Sequence, residues 1–248
     1  MKGKIFNAQA VQAIISGNKT QFREVIKPQP IQPEGFSDAY FDCYNKGNQW
    51  NWWTQWNWWT KDNKQLLGQI VKCPYQVGQK IFVKEVWDFI SDKKDGMGDC
   101  CYYKANQLKW NEEVVKSEEN FMKKYGHNWK PAQHMKQEHS RLTLQIKEIR
   151  VERLQSISEE DAIAEGIFFT DYGKKCYHAG YDINTCPSIV GHENQEDGWN
   201  WKESKSSSEC WGAAKYAFAN YWNATRKKPE EKFGANPWVW KIEFEVVK

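Results

Sequence analysis

The run Trp238-Val239-Trp240-Lys241-Ile242-Glu243-Phe244-Glu245-Val246 alternates large apolar residues with charged ones, and a period of two is the mark of a β-strand. The same alternation recurs in Arg141-Leu142-Thr143-Leu144-Gln145-Ile146. Ile149 and Val151 then fall on the other parity, so a bulge or bend is expected near Lys147-Glu148. A third run follows Cys73-Pro74-Tyr75 and a turn at Gly78: Lys80 to Trp87, with Ile81, Val83 and Trp87 opposite Phe82, Lys84 and Val86. Glu85 shares the Ile81 side. A carboxylate among apolar neighbours is either a functional group or a rim residue paired to a base.

Short helices sit between these strands. Ala8 to Ser16 has Asn7 as a cap, Phe6 and Val11 as a hydrophobic staple, a buried stripe of Val11, Ile14 and Ile15, and Gly17 as the stop. Ser158-Glu159-Glu160-Asp161 has capping-box spacing and opens a helix that Gly166 closes. Glu165 lies in its last turn, where the helix dipole disfavours a carboxylate by about 0.3 to 1 kcal/mol, so a lysine partner is expected. Trp211, Ala214, Phe218, Tyr221 and Trp222 share one helical face that reads as core packing, and Lys227-Lys228-Pro229 leads out of it. Few strands and short helices define an α+β domain built on a small mixed barrel or sheet.

The 248 residues suffice for one domain carrying insertions. Three stretches read as insertions: about 31–68, 91–128 and 170–208. The first holds six of the 15 tryptophans and a six-residue duplication, Gln49-Trp50-Asn51-Trp52-Trp53-Thr54 and Gln55-Trp56-Asn57-Trp58-Trp59-Thr60, which fits a hairpin or extended strand. Its indoles read either as a platform for unpaired bases or as a lid packed on the domain. The second carries equal numbers of acids and bases and reads as solvated; the third is rich in Gly, Asn, Ser and charge.

A net charge of +3 excludes a nucleic-acid binder of the bulk-electrostatic kind. Local charge is another matter, because the first 30 residues hold Lys2, Lys4, Lys19, Arg23 and Lys27 against Glu24 alone. A mean hydropathy of -0.86 with no long apolar run argues against a membrane span, and the N-terminus lacks the apolar core of a secretory signal, so the expected place is the cytoplasm. Seven scattered cysteines then read as reduced thiols. Cys176, His178, Cys186 and His192 match no ordinary zinc spacing, so neither metal nor cofactor is expected.

Several segments resemble the ASCH-domain proteins of phage and prophage type, relatives of the PUA RNA-binding fold. The matching runs are Gly17-Asn18-Lys19-Thr20-Gln21-Phe22-Arg23, Val25-Ile26-Lys27-Pro28-Gln29-Pro30, Cys73-Pro74-Tyr75 with Gly78, and Val83-Lys84-Glu85-Val86-Trp87. His134-Met135, Ser140-Arg141, Val151-Glu152-Arg153-Leu154-Gln155, Ile157-Ser158-Glu159-Glu160-Asp161-Ala162, Ala164-Glu165-Gly166 and Asn236-Pro237-Trp238-Val239-Trp240 continue them in order. The resemblance implies a single domain over residues 1–248, a small PUA-like β-barrel with flanking helices, and a cleft beside the Gly-x-Lys loop. It also implies binding of RNA or another nucleic acid in the host cytoplasm. One bacterial branch is similar to an amidohydrolase that deacetylates N4-acetylcytidine with a lysine, a threonine three residues later and a helical glutamate. Those roles carry over to Lys19 and Glu165; the third position is Phe22, which has no nucleophile, leaving Thr20 as the nearby hydroxyl.

Three functional readings follow. In the first, the chain binds RNA, single-stranded DNA or a modified nucleoside, with Lys19, Arg23 and Lys27 on phosphates, Asn18, Thr20 and Gln21 on a base edge or ribose, and Arg141 with His134 on a second face. In the second it is a hydrolase of N4-acylated cytidine, or a nuclease, that depends on Lys19, Glu165 and Thr20. A plain Lys19–Glu165 ion pair closing the cleft accounts for the same two residues. In the third, Trp50–Trp59 form a patch for a host or phage protein.

Overall fold

The computed structural model describes residues 1–29, 41–46, 49–54, 70–90, 100–109, 112–124, 128–173, 175–176, 181–188, 195–204 and 206–247. Its strands are β1 (Lys2–Ile5), β2 (Gln21–Val25), β3 (Phe41–Lys46), β4 (Gln49–Thr54), β5 (Ile70–Lys72), β6 (Lys80–Lys84), β7 (Trp87–Ile90), β8 (Cys100–Tyr103), β9 (Thr143–Arg153), β10 (Phe168–Thr170), β11 (Gly198–Asn200) and β12 (Trp238–Val246). Four α-helices accompany them: α1 (Ala8–Ile15), α2 (Glu112–Lys124), α3 (Glu159–Ala164) and α4 (Ala214–Thr225). The central sheet is mixed, in the order β1-β6-β9-β12-β2, with β1 parallel to β6 and the other pairs antiparallel. Among the described residues there are three further small antiparallel sheets: β3-β4-β5, β7-β8 and β10-β11.

Local chemistry accounts for the element ends. Asn7 accepts a hydrogen bond from the Ala10 amide, and Ser158 accepts one from the Asp161 amide, so both expected caps are present. Glu148 pairs with Glu243 and Ile146 with Phe244, which leaves Lys147 as the extra residue of a bulge at the parity change. The run from Lys80 to Trp87 is broken, because Glu85 turns inward to Arg141 and Trp87 opens a separate hairpin, β7-β8. In the Trp-rich stretch the first copy of the duplication is β4, paired with β3 and β5; the second copy lies outside the described residues.

The barrel expected from the resemblance is not closed. Among the described residues its edge strands β1 and β2 share no backbone pairing. Side chains cross the gap instead: Lys4 reaches Glu24, and Phe6 and Tyr75 stand edge-on to Phe22 at 5.7 and 5.5 Å between centroids. Rings of that bulk hold the strands beyond the ~4.8 Å spacing that a ladder needs.

The sheet is buried on both faces. Val11 and Ile14 of α1 pack with Ile81, Leu144, Ile146, Trp240, Ile242 and Phe244 on one side. On the other, Leu154, Ile157, Ala162, Ala217, Phe218 and Trp222 pack on Val25 and Val239. The charged parity of β12 is therefore partly enclosed, and Lys241 is buried. Two expected insertions also contribute to the body. The 3-10 turn Lys104–Lys109 docks on α1, with buried Ala105 accepting from Gln12 Nε2 at 2.7 Å, so that part of 91–128 is not solvated. Tyr172, Gln195 and Asn200 of the third stretch are buried beside β11.

Among the described residues no helix is long and apolar enough to cross a membrane. Phe218→Ala is expected to cost about 3–5 kcal/mol by the cavity it leaves, whereas Tyr216→Ala on the exposed face of the same helix should stay within about 0.5 kcal/mol. Urea denaturation of the two variants checks the assignment of α4 to the core.

Candidate functional site

Two helix ends hold the first pair of groups together. α1 stops at Gly17, whose φ of +79° suits glycine, and the Lys19 amide then donates back to the Ala13 carbonyl. α3 ends in a Schellman motif: the Gly166 amide donates to Ile163 and the Ile167 amide to Ala162, with Gly166 at φ +96°. A Cβ on Gly166 would meet the Ala13 Cβ at 3.0 Å and the Lys19 Cβ at 3.3 Å, so only glycine lets the two ends approach. Lys19 and Glu165 form an isolated antiparallel bridge, and Lys19 Nζ donates to the Glu165 carbonyl at 2.6 Å and to its Oε2 at 2.7 Å. The carboxylate that the dipole disfavours thus has the lysine partner expected of it, and both side chains are buried.

Further along the chain, on β2, the Arg23 side chain is fully enclosed and bound to three carboxylates. Its Nε donates to Glu152 at 2.7 Å, one terminal nitrogen to Glu165 Oε1 at 3.0 Å and the other to Asp161 Oδ2 at 2.9 Å. Lys241 reaches the second oxygen of Asp161 at 2.7 Å, and Gln21 donates to the Asp161 carbonyl at 2.6 Å. The cations Lys19, Arg23 and Lys241 face Glu165, Glu152 and Asp161, with Glu243 at 3.3 Å on the more exposed side of Lys241, and that matching of charge lets the cluster lie under α3.

The electrostatics follow burial and partners in turn. Burial strips water from Lys19 and lowers its pKa from the ordinary lysine value, against the attraction of Glu165. Arg23 is raised: burial opposes its charge, but Glu165, Glu152 and Asp161 outweigh it. Asp161 is lowered because Lys241 and Arg23 overcome its own desolvation. Burial, with Glu165 nearby, pushes the Tyr221 phenol up to about 12.

This cluster faces the open side of the sheet. A cavity of about 190 Å³ lies in the gap between β1 and β2 beneath α4; Lys19, Arg23 and Glu165 bear on it, and Phe22, Tyr221 and Trp222 supply rings. A larger cleft of about 640 Å³ shares Lys4, Thr225 and Arg226 with it and adds Lys27, Lys227 and Lys228. Arg226 lies 4.2 Å over the Trp222 ring, and no carboxylate among the described residues pairs with Arg226, Lys227 or Lys228. Lys27, mostly exposed, reaches Glu231 at 2.7 Å.

Lys19, Gln21, Arg23 and Glu165 are therefore brought together, while the other candidates are dispersed. Thr20 is exposed, its amide donates to the Ala164 carbonyl, and it does not line the Lys19–Glu165 cavity. Phe22 does, so the threonine position of the hydrolase pattern is a core phenyl ring. Asn18 lies on the far side of α1. Arg141 belongs to another cluster, bidentate to Glu85 at 2.8 Å, bonded to Asn106 and stacked 4.1 Å over Tyr103; His134 is exposed. Sequence reasoning misses Glu152, Asp161 and Lys241, whose partners are remote in the chain, and Arg226 to Lys228, which read as a lead-out from a core helix.

Among the described residues no group of His, Cys, Asp and Glu could hold a metal ion; His178 and His192 lie outside them, and Cys176 and Cys186 form no disulfide with another described cysteine. No family model, curated protein or solved structure matches this chain.

Removing one member of the buried pair leaves the other uncompensated. Glu165→Gln is expected to cost about 3–5 kcal/mol at pH 7. Because the folded pKa of Lys19 lies below its unfolded value near 10.4, the folded state releases that proton first, and stability rises with pH between the two values. The Gln variant should thus lose less at about pH 9.5 than at pH 7, measured by urea denaturation at both; an equal loss would show that Lys19 does not carry the penalty.

Proposed function

We propose that this chain is a nucleic-acid-binding protein of the ASCH, PUA-like kind, and that it holds a single strand of RNA or DNA in the cleft between β1, β2 and α4. The observation that carries the reading is the convergence of Lys4, Lys27, Arg226, Lys227 and Lys228 on one cleft against two acids, Glu24 and Glu231, which pair with Lys4 and Lys27 and leave the other three without an ion-pair contact among the described residues. Such a cluster at the mouth of a ring-walled cavity suits phosphates outside and a base inside. The pairing of Lys19 with Glu165, distant in sequence, supports the resemblance, which assigns both to one site.

The phosphate contacts in this reading come from the mouth. Lys19 and Arg23 are enclosed and committed to carboxylates, so they form the floor and hold β2 on α3. Lys227→Ala combined with Lys228→Ala should weaken binding of labelled single strands in fluorescence anisotropy. The slope of log affinity against log salt should fall by roughly 0.7 for each lost single-strand phosphate contact. An unchanged slope would remove the two lysines from the interface.

A hydrolytic reading rests on one observation, a desolvated amine beside a carboxylate in a cavity. Both Glu165 oxygens are engaged by cations, and no hydroxyl stands at position 22. N4-acetylcytidine should therefore release no more acetate with the wild-type protein than with Glu165→Gln. Turnover that depends on Glu165 would put hydrolysis in place of binding.

A further inference from the structure

A second cavity, of about 380 Å³, opens on the other side of α1. Its apolar walls are Leu108, Phe168 and Trp201. Trp201 is held in place by its indole N–H, which donates to Asn220 Oδ1 at 2.9 Å, so the ring is a fixed surface. Most of the uncharged polar lining is carboxamide, from Gln9, Gln12 and Asn18, with the Ser16 hydroxyl beside them. Gln12 Nε2 is engaged by the Ala105 carbonyl, and its buried Oε1 has no partner among the described residues. The side chains of Gln9 and Asn18 are likewise without a hydrogen-bond partner among them.

Those features select a ligand class. A carboxamide presents a donor and an acceptor side by side, the pattern that pairs with the edge of a purine or pyrimidine. The flat faces of Phe168 and Trp201 favour a planar ring by stacking. Of the two charged residues in the lining, Lys202 is paired with Glu209 at 3.4 Å and Glu203 is an acid, so nothing there selects an anion. The volume falls at the lower end of the ~300–1,000 Å³ range of small-molecule pockets. We infer that this cavity is a binding site for one uncharged purine or pyrimidine nucleoside, distinct from the basic cleft.

The two sites do not run together. Between them, beside Glu165, Gly166 and Tyr221, lies a void of only about 10 Å³, room for no more than roughly one water. A nucleoside in the second cavity therefore binds without contact with the cationic cleft. This inference stands on the carboxamides and the fixed indole, and it does not depend on the strand-binding reading.

Isothermal titration of the full chain with adenosine, guanosine, cytidine and uridine tests it, at low and high salt. The proteins compared are the wild type, Leu108→Trp, which narrows the mouth from an exposed position, Asn18→Ala on the surface, and the Lys227→Ala/Lys228→Ala pair. At least one nucleoside should saturate the wild-type protein with an affinity that salt leaves unchanged. Leu108→Trp should weaken it about tenfold or more, Asn18→Ala should weaken it less, and the lysine pair should leave it alone. Circular dichroism of each variant separates loss of the site from loss of the fold. No binding by any of the four, or binding that Leu108→Trp leaves intact, overturns the proposal. So does binding lost only in the lysine pair, which would place the nucleoside in the basic cleft. Loss of salt-dependent strand binding with nucleoside binding retained would instead remove the strand-binding reading and leave this one standing.

Discussion

Arg23 is the point on which the rest of the structure turns. Each of its three guanidinium nitrogens donates to a carboxylate, and those three acids come from β9, from α3 and from the residue that closes α3. An edge strand is thereby tied to the middle of the sheet and to the layer above it. Enclosing so much charge is costly unless each ion is matched, and here Lys19 and Lys241 complete the matching. The arrangement contributes specificity of register more than net stability. If β2 slipped by one residue, Arg23 would turn to the core face, where Phe22 now packs.

The open edge of the sheet follows from the same strand. Phe22 directs a ring into the gap between β1 and β2, so backbone pairing gives way to a space that α4 roofs and Arg23 borders. A closed barrel would have no cavity at this place. The residues that follow α4 then supply cations to that space at little cost to the fold, since their backbone lies outside the core. Trp222 is anchored by its indole N–H on the Glu231 carbonyl at 2.7 Å, and this gives Arg226 a rigid ring to lie upon.

Local signals are legible in the sequence and remote ones are not. The bulge at Lys147, the caps at Asn7 and Ser158 and the stop at Gly166 each depend on residues within a few positions, so parity and capping chemistry reveal them. The bond between Lys19 and Glu165 is foreshadowed by a carboxylate at an unfavourable helix end, and the resemblance to ASCH proteins names the partner. Nothing local marks Glu152 or Asp161 as partners of Arg23, because a charged residue on a strand or in a first helical turn has an ordinary solvated role. Tyr221 and Trp222 share their stripe with Phe218, yet both also border a cavity, where Phe218 only fills the core. The split of the Lys80–Trp87 run likewise depends on Arg141, a residue from a different strand region.

One consequence of the strand order concerns the making of the protein. Among the described residues β2 has a single neighbour, β12, so every residue between Val25 and Trp238 must be synthesised before β2 can join the sheet. At about 5–20 residues per second the ribosome takes roughly ten to forty seconds over that stretch. During that interval Phe22 has no sheet to cover it and Arg23 no ring of acids to neutralise it. The cleft is thus among the last parts of the molecule to exist, and a nascent chain is spared binding anything there before its core is in place.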